Sequence, residues 1–341
     1  QSARFRQELP VPVTLAGRIR TAAEAEAVLA NGAADVVAMA RTWIADPEWM
    51  KKVETGQENR IRPCVSCNQA CIGFVVRGFA GSCVVNPRAG NEYVIARPAP
   101  TAAAKRVAVV GGGPAGLEAA RLAALRGHHV TLYEAQDKLG GEMRLAGAAP
   151  QRGEILDSLA WWERELAHLG VDVRLGAEVE PTRMPEADII VWAVGARPAL
   201  TAIWRSRPHL VDGIPGADAL PHGRDILAGR RSVFGSVLVI DEEGGWPTIS
   251  LVETLAAQAD AGPITVVTSG THPGEPDLIF SLELQEVSAR LSAADIEIRP
   301  HALVASIDGG VATLTTGETL GPYDAIVLAT GTAAPVLPAG V

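Results

Sequence analysis

The stretch Val107-Ala-Val-Val-Gly111-Gly-Gly113-Pro-Ala-Gly116 reads as a short apolar strand that runs into a glycine turn and opens a helix. Its glycines fall in the Gly-x-Gly-x-x-Gly pattern. Gly111 permits the tight turn, Gly113 lets a pyrophosphate approach the backbone, and Gly116 lets helix and strand pack. The helix beginning at Pro114 and Ala115 points free N–H groups at the phosphate. A second apolar strand, Val130–Glu134, follows, and Glu134 lies 23 residues beyond Gly111, where an acid accepts a ribose hydroxyl. Three glycines alone are a weak signal. Strand, helix and acid in the right order make this a dinucleotide-binding unit.

Working outward toward the C-terminus, a helix over Ile155–Leu169 carries Trp161 and Trp162, read as packing residues. Ile189–Val194 is a further buried-type strand. A second nucleotide-type unit starts at Val237–Ile240, with a helix near Leu251–Ala261 and a strand at Ile264–Thr268. Its turn is degenerate: Asp241, Glu243 and Trp246 occupy the three glycine slots, and Asp241-Glu-Glu brings up to three negative charges to the phosphate position. This unit is expected not to use NADH or NADPH, unless Gly244-Gly245 serve in a shifted register.

Leu139-Gly140-Gly141-Glu142 resembles the corresponding stretch of FAD enzymes of the glutathione-reductase-like class. Ala193-Val-Gly195 and Ala329-Thr-Gly331 are similar to that class's paired strand-end motifs. The resemblance implies an FAD- or ADP-binding Rossmann-like domain over residues 106–231 and 301–341, with a degenerate NAD(P)-binding-like domain inserted at 232–300. That class ends its flavin domain with a further strand and a Gly-Asp motif, which is not found after Gly331. The choice between FAD and ADP stays open.

Toward the N-terminus, a Pro/Ala-rich stretch at 97–105 reads as a linker. Before it, residues 61–96 hold all four cysteines of the chain, spaced Cys64-x2-Cys67-x3-Cys71-x11-Cys83. Four soft thiolates suit a 4Fe-4S cluster. Structural zinc also accepts four thiolates, although it more often uses two separate Cys-x2-Cys knuckles. Buried unligated thiols are the third possibility. Arg62-Pro-Cys-Val-Ser-Cys-Asn-Gln-Ala-Cys71 and Ser82-Cys-Val-Val-Asn-Pro-Arg88 resemble the cluster segment of the bacterial 2,4-dienoyl-CoA reductase and trimethylamine dehydrogenase family. In that family a 4Fe-4S cluster relays electrons between an FMN-binding barrel and a nucleotide-binding domain. The resemblance makes Cys64, Cys67, Cys71 and Cys83 the cluster ligands.

Residues 1–60 read as β-α-β-α, the unit of parallel sheets and barrels. By the same resemblance they are the last two βα units of an FMN-binding (β/α)8 TIM barrel. Gly17, Arg18 and Arg41 stand at the two strand ends and match the family's phosphate loops; such sites lie after strands seven and eight. The plainer alternative makes the arginines surface charges. Two strands cannot close a barrel, so the chain is expected to be a fragment or one subunit of a split enzyme, partnered by the missing barrel portion. No catalytic residue is carried over from the family.

The fold class expected is therefore α/β throughout: barrel end, cluster segment, then a Rossmann-like domain with its insertion. With 30 basic and 39 acidic residues and a net charge of −9, the 341-residue chain is a poor nucleic-acid binder. It has no run of 18 apolar residues, so no membrane span is indicated. Four bunched cysteines without a secretory signal favour a metal site in the cytoplasm over disulfides. The resemblance implies an oxidoreductase acting on a small organic substrate, a homo-oligomer when complete. The amine (N-methyl) dehydrogenase type, with an electron-transfer protein as acceptor, is the first expectation. An NAD(P)H-dependent enoate or dienoyl-CoA reductase is the second. An ADP-binding scaffold with structural zinc is the alternative of another class.

Overall fold

The computed structural model describes residues 2–198 and 213–334. The chain opens with a small parallel pair, β1 (Thr14–Ala16) and β2 (Val36–Ala38), joined by the helix Ala22–Ala30. That helix starts in a capping box: Thr21 Oγ1 accepts from the Glu24 N–H at 3.2 Å and Glu24 accepts from the Thr21 N–H at 2.9 Å. None of its nine residues is buried.

The glycine stretch folds as its pattern requires. β3 (Arg106–Val110) enters the turn, and the helix Pro114–Leu125 leaves it. β3 is central in a parallel sheet of order β5-β4-β3-β6, with β4 (His129–Tyr133), β5 (Asp172–Arg174) and β6 (Ile189–Trp192). Covered on both faces, β3 reads as an unbroken apolar run. The helix Glu154–His168 buries Leu159, Trp161, Trp162 and Leu166 against this unit. Both tryptophans are packing residues with satisfied N–H groups: Trp161 Nε1 donates to the Arg60 carbonyl at 2.9 Å and Trp162 Nε1 to Glu118 Oε2 at 3.0 Å.

The second unit has its own parallel sheet of order β10-β9-β8-β14, from β8 (Gly235–Asp241), β9 (Ala261–Thr268), β10 (Glu297–Arg299) and β14 (Ala325–Ala329). A three-stranded meander, β11 (Val304–Asp308), β12 (Val311–Leu314) and β13 (Thr319–Leu320), packs on it. Leu238, Ile240, Val304, Ile307 and Leu328 share that core.

This corrects the expected division of the chain. Residues 301–341 were assigned to the first unit, yet β14 pairs along its whole length with β8, from Ala325 opposite Val237 to Ala329 opposite Asp241. Val327 and Leu328 are fully buried there. A strand-end Ala-Thr-Gly has the same local form in either sheet, and only long-range pairing decides which sheet holds it. The return to the first unit is the two-residue ribbon of β7 (Arg197–Pro198) with β15 (Thr332–Ala333). Residues 199–212 and 335–341, within the spans assigned to the first unit, lie outside the described residues. Among those described, no helix is long and apolar enough to cross a membrane.

Candidate functional site

The glycine loop is held by close approaches that leave no room for side chains at two positions. Gly111 has φ +107°, and a Cβ there would come within 2.2 Å of the Ala193 carbonyl oxygen. A Cβ on Gly116 would lie 1.9 Å from the Gly111 carbonyl oxygen. Gly113 differs: a Cβ there meets nothing within 4 Å, so open space faces the start of the helix at Pro114 and Ala115. Glu134 is buried beside the loop. Its carboxylate accepts from the N–H of Gly112 at 2.6 Å and of Gln136 at 2.8 Å. Gly140 docks on the same loop, its N–H donating to the Gly112 carbonyl at 2.8 Å, and Gly141 follows against Gly113.

Two cavities flank this loop. One, of about 250 Å³, is lined by Gly111, Tyr133, Glu134, Ala135 and Trp192. The other, of about 400 Å³, begins at Pro114 and reaches Cys67, Arg152, Arg224 and Trp246. The sequence pointed to the first through Glu134. It missed Arg152 and Arg224, which come from separate units and carry no motif.

The four cysteines are free thiols, and all four line one small cavity, with Arg41 and Asn68 at its wall. Burial pushes the Cys67 thiol up to about 11 and the Cys83 thiol upward as well. Such thiols stay protonated at neutral pH, so a metal bound there must displace protons. Among the described residues, no three His, Cys, Asp or Glu side chains converge on one metal ion.

Asn68, between Cys67 and Cys71, was also missed. It sits in the left-handed region at φ +53°. Its Oδ1 accepts from Arg41 Nη1 at 2.7 Å, and its Nδ2 donates to the Ser281 carbonyl at 3.2 Å. It therefore joins the barrel end, the cysteine segment and the second unit.

At the ends of β1 and β2, a cavity of about 130 Å³ brings Gly17, Arg18 and Arg41 together beside Cys64. Arg18 is ion-paired with Glu154, and Arg41 is engaged by Asn68. Arg20, which the sequence did not single out, donates to the Cys64 carbonyl at 3.3 Å and to Asp157 at 3.0 Å. It pins the barrel end to the cysteine loop and to the nucleotide unit.

In the second unit the turn after β8 closes on itself. Asp241 Oδ1 accepts from the Gly244 N–H at 2.8 Å and from Thr248 Oγ1 at 2.7 Å, while Oδ2 accepts from Thr268 Oγ1 at 3.0 Å. Burial pushes this carboxyl above its ordinary range. Trp246, in the third glycine slot, is buried with the Arg152 guanidinium 3.7 Å over its ring.

Residues 1–60 match the NADH:flavin oxidoreductase / NADH oxidase family, and residues 109–160 match the NAD(P)-binding Rossmann-like domain. The chain is 44% identical to the NADH oxidase of Thermoanaerobacter brockii, over 86% of this chain and 46% of that protein. It is 36% identical to the N,N-dimethylglycine/sarcosine dehydrogenase of Chromohalobacter salexigens, over 80% of this chain and 39% of that one. The fold matches 6-hydroxypseudooxynicotine amine oxidase from Pseudomonas geniculata N1 with a TM-score of 0.90 and 28% identity, covering 98% of this chain and 51% of that structure. The chain thus spans about half the length of the relatives it matches or less. Across that span it belongs to the NADH:flavin oxidoreductase / NADH oxidase family, in the group related to trimethylamine dehydrogenase and 2,4-dienoyl-CoA reductase.

Proposed function

We propose that the chain is the electron-carrying half of an iron–sulfur flavoprotein oxidoreductase of the amine (N-methyl) dehydrogenase type. One observation carries the reading. The cavity at the barrel strand ends includes Cys64, the cavity of the four cysteines includes Cys64 and Cys67, and the cavity at the glycine loop includes Cys67. Three sites share walls in the order that electron transfer between two bound cofactors needs.

Gly17, Arg18 and Arg41 would hold the FMN phosphate, with the rest of the barrel supplied by a further segment or a partner subunit. Arg41's planar fork suits phosphate oxygens. Cys64, Cys67, Cys71 and Cys83 would hold a 4Fe-4S cluster, which supplies one-electron transfer. All four thiols face one shared space, and soft thiolates suit iron–sulfur chemistry. Gly111, Gly113, Pro114, Ala115, Gly116, Glu134, Gly140 and Gly141 would hold the nucleotide common to ADP and FAD. The substrate is a small organic amine, the acceptor an electron-transfer protein and the compartment the cytoplasm.

A second reading, an NAD(P)H-dependent reductase, is favoured by the 44% identity to an NADH oxidase. The turn at Asp241 weighs against it. A carboxylate and a pyrophosphate at about 4 Å repel by roughly 1 kcal/mol in water and about 4 kcal/mol at intermediate dielectric. The attraction of a helix end is about 0.3–1 kcal/mol. NADH or NADPH added anaerobically to the complete enzyme is therefore expected to leave flavin and cluster absorbance unchanged. Rapid bleaching by either nucleotide would restore the reductase reading.

The 341-residue chain by itself is expected to hold no FMN. It provides two phosphate-side strand ends and an uncovered helix, Ala22–Ala30, but little of a ring pocket. Flavin released on heating the purified chain measures this. One FMN per chain would refute the fragment reading.

A further inference from the structure

The buried charges beside the cysteine segment do not balance. Asp46 pairs with Lys52 at 2.6 Å and Glu165 with Arg60 at 2.7 Å, and each of these pairs is neutral. Glu118, on the helix Pro114–Leu125, is instead shared by two guanidinium groups. Arg121 grips it as a fork, Nε donating at 2.9 Å and Nη2 at 2.7 Å, and Trp162 Nε1 donates at 3.0 Å. Arg62 reaches it only through Nη2, at 3.5 Å. Burial raises the Glu118 carboxyl, yet Arg121 and Arg62 hold it below its ordinary range, so it is ionised. Two positive groups against one negative leave one positive charge uncompensated inside the protein.

That charge belongs to Arg62, the less satisfied of the two. Its side chain is 9% exposed, and its Nε is buried without a partner among the described residues. Its guanidinium lies 4.6 Å over the ring of the buried Trp161. Its backbone N–H donates to Asp46 Oδ2 at 2.8 Å, which fixes where the side chain begins. Arg62 stands two residues before Cys64, and Trp161 and Trp162 lie in the core against which Cys64, Cys67 and Cys83 pack. Burial pulls its pKa below the arginine norm, while Glu118, Asp46 and Cys83 favour its charge. A guanidinium stays charged all the same.

We propose that Arg62 sets the reduction potential of the cysteine site: its uncompensated positive charge, held in the core that the cysteines share, raises the potential and makes the site a better electron acceptor. This rests on the reading that Cys64, Cys67, Cys71 and Cys83 hold a 4Fe-4S cluster. A cluster held by four thiolates is an anion, and reduction adds one more negative charge. A fixed positive charge therefore stabilises the reduced form more than the oxidised one, and more strongly where water is excluded. Net charge, hydrogen bonds to sulfur and solvent exposure are the levers on such potentials. Arg62 brings a charge and a free N–H into a region that is already dry. In the step itself one electron enters from the reduced flavin, no bond forms or breaks, and Arg62 keeps its proton. Glu118 acts in the opposite sense, because its carboxylate offsets part of the positive charge.

The test is an anaerobic redox titration of the reconstituted 341-residue chain, followed by visible absorbance and by the electron-spin resonance of the reduced cluster. At a fixed potential, Arg62→Gln should shift the oxidised-to-reduced ratio at least tenfold toward oxidised, a fall of about 59 mV for one electron. Arg62→Lys keeps the charge and should recover most of that shift. Glu118→Gln should move the potential the other way, upward. Iron content and thermal melts show whether each variant keeps its fold and cluster. Should Arg62→Gln fail to load iron, the direction of the Glu118→Gln shift decides. An unchanged potential in Arg62→Gln, an equal fall in Arg62→Lys, or a Glu118→Gln potential that does not rise would each overturn the proposal while leaving the cluster reading intact. A parent chain that takes up no iron–sulfur cluster would overturn both.

Discussion

Cys67→Ser is expected to lower the iron content of the anaerobically reconstituted chain from about four per polypeptide to below one, and to abolish its broad visible absorbance. Cys67 is the informative choice because it lies on the wall of both the cysteine cavity and the nucleotide-side cavity. Its thiol, held near 11 by burial, has little tendency to ionise until iron binds. Serine keeps the size but offers a harder, less acidic donor that soft iron–sulfur chemistry does not favour. Cys67→Ala removes the donor altogether and controls for partial ligation by oxygen. Iron and acid-labile sulfide are measured beside zinc on the same samples. A parent chain that stays colourless after reconstitution and instead retains one tightly held zinc would support the scaffold alternative and end the electron-relay reading.

Gly113→Val is expected to weaken ADP and FAD binding at least 100-fold, about 2.7 kcal/mol, without loss of the fold. The distinction between the loop glycines makes this a clean experiment. At Gly113 the added Cβ enters open space, so the unliganded protein tolerates it; the branched side chain blocks only what would pass there. Gly116→Ala behaves oppositely. Its Cβ would lie 1.9 Å from a carbonyl oxygen, so the helix must move off the strand and the melting temperature falls before any ligand is added. Calorimetry on Gly113→Val with thermal melts on both variants separates the effects. Unchanged affinity in Gly113→Val would remove the nucleotide from this loop.

The parts of the molecule readable from sequence are those whose cause is local. The strand, turn and helix at 106–125 declare themselves because each glycine answers a constraint within a few residues. Glu134 follows because the length of one βαβ unit fixes where the acid falls. The ownership of β14 was not readable. Ala325–Ala329 is an apolar run ending in Thr330-Gly331, and nothing within it distinguishes pairing with β8 from pairing with β6. The meander over 304–320 escaped for a related reason: its strands are short and their partners are set by the core of Leu238 and Ile240. Arg152, Arg224 and Asn68 were invisible because their importance comes from convergence. Each is an ordinary polar residue in its own segment and acquires a role only when a different segment arrives opposite it.

The turn after β8 has a consequence for how the two units respond to the cell's nucleotide pool. Asp241 supplies, from within the chain, the acceptor that its Gly244 N–H and the hydroxyls of Thr248 and Thr268 would otherwise seek from a phosphate. The turn is in effect permanently liganded by its own side chain, and no free ligand appears in its folding equilibrium. With a nucleotide held at Gly113, as proposed, the first unit gains stability with that ligand by mass action, about 2.7 kcal/mol at a hundredfold excess over Kd. On that reading one nucleotide fold of the chain has a stability that depends on nucleotide concentration, and the turn after β8 in its neighbour takes no part in that dependence.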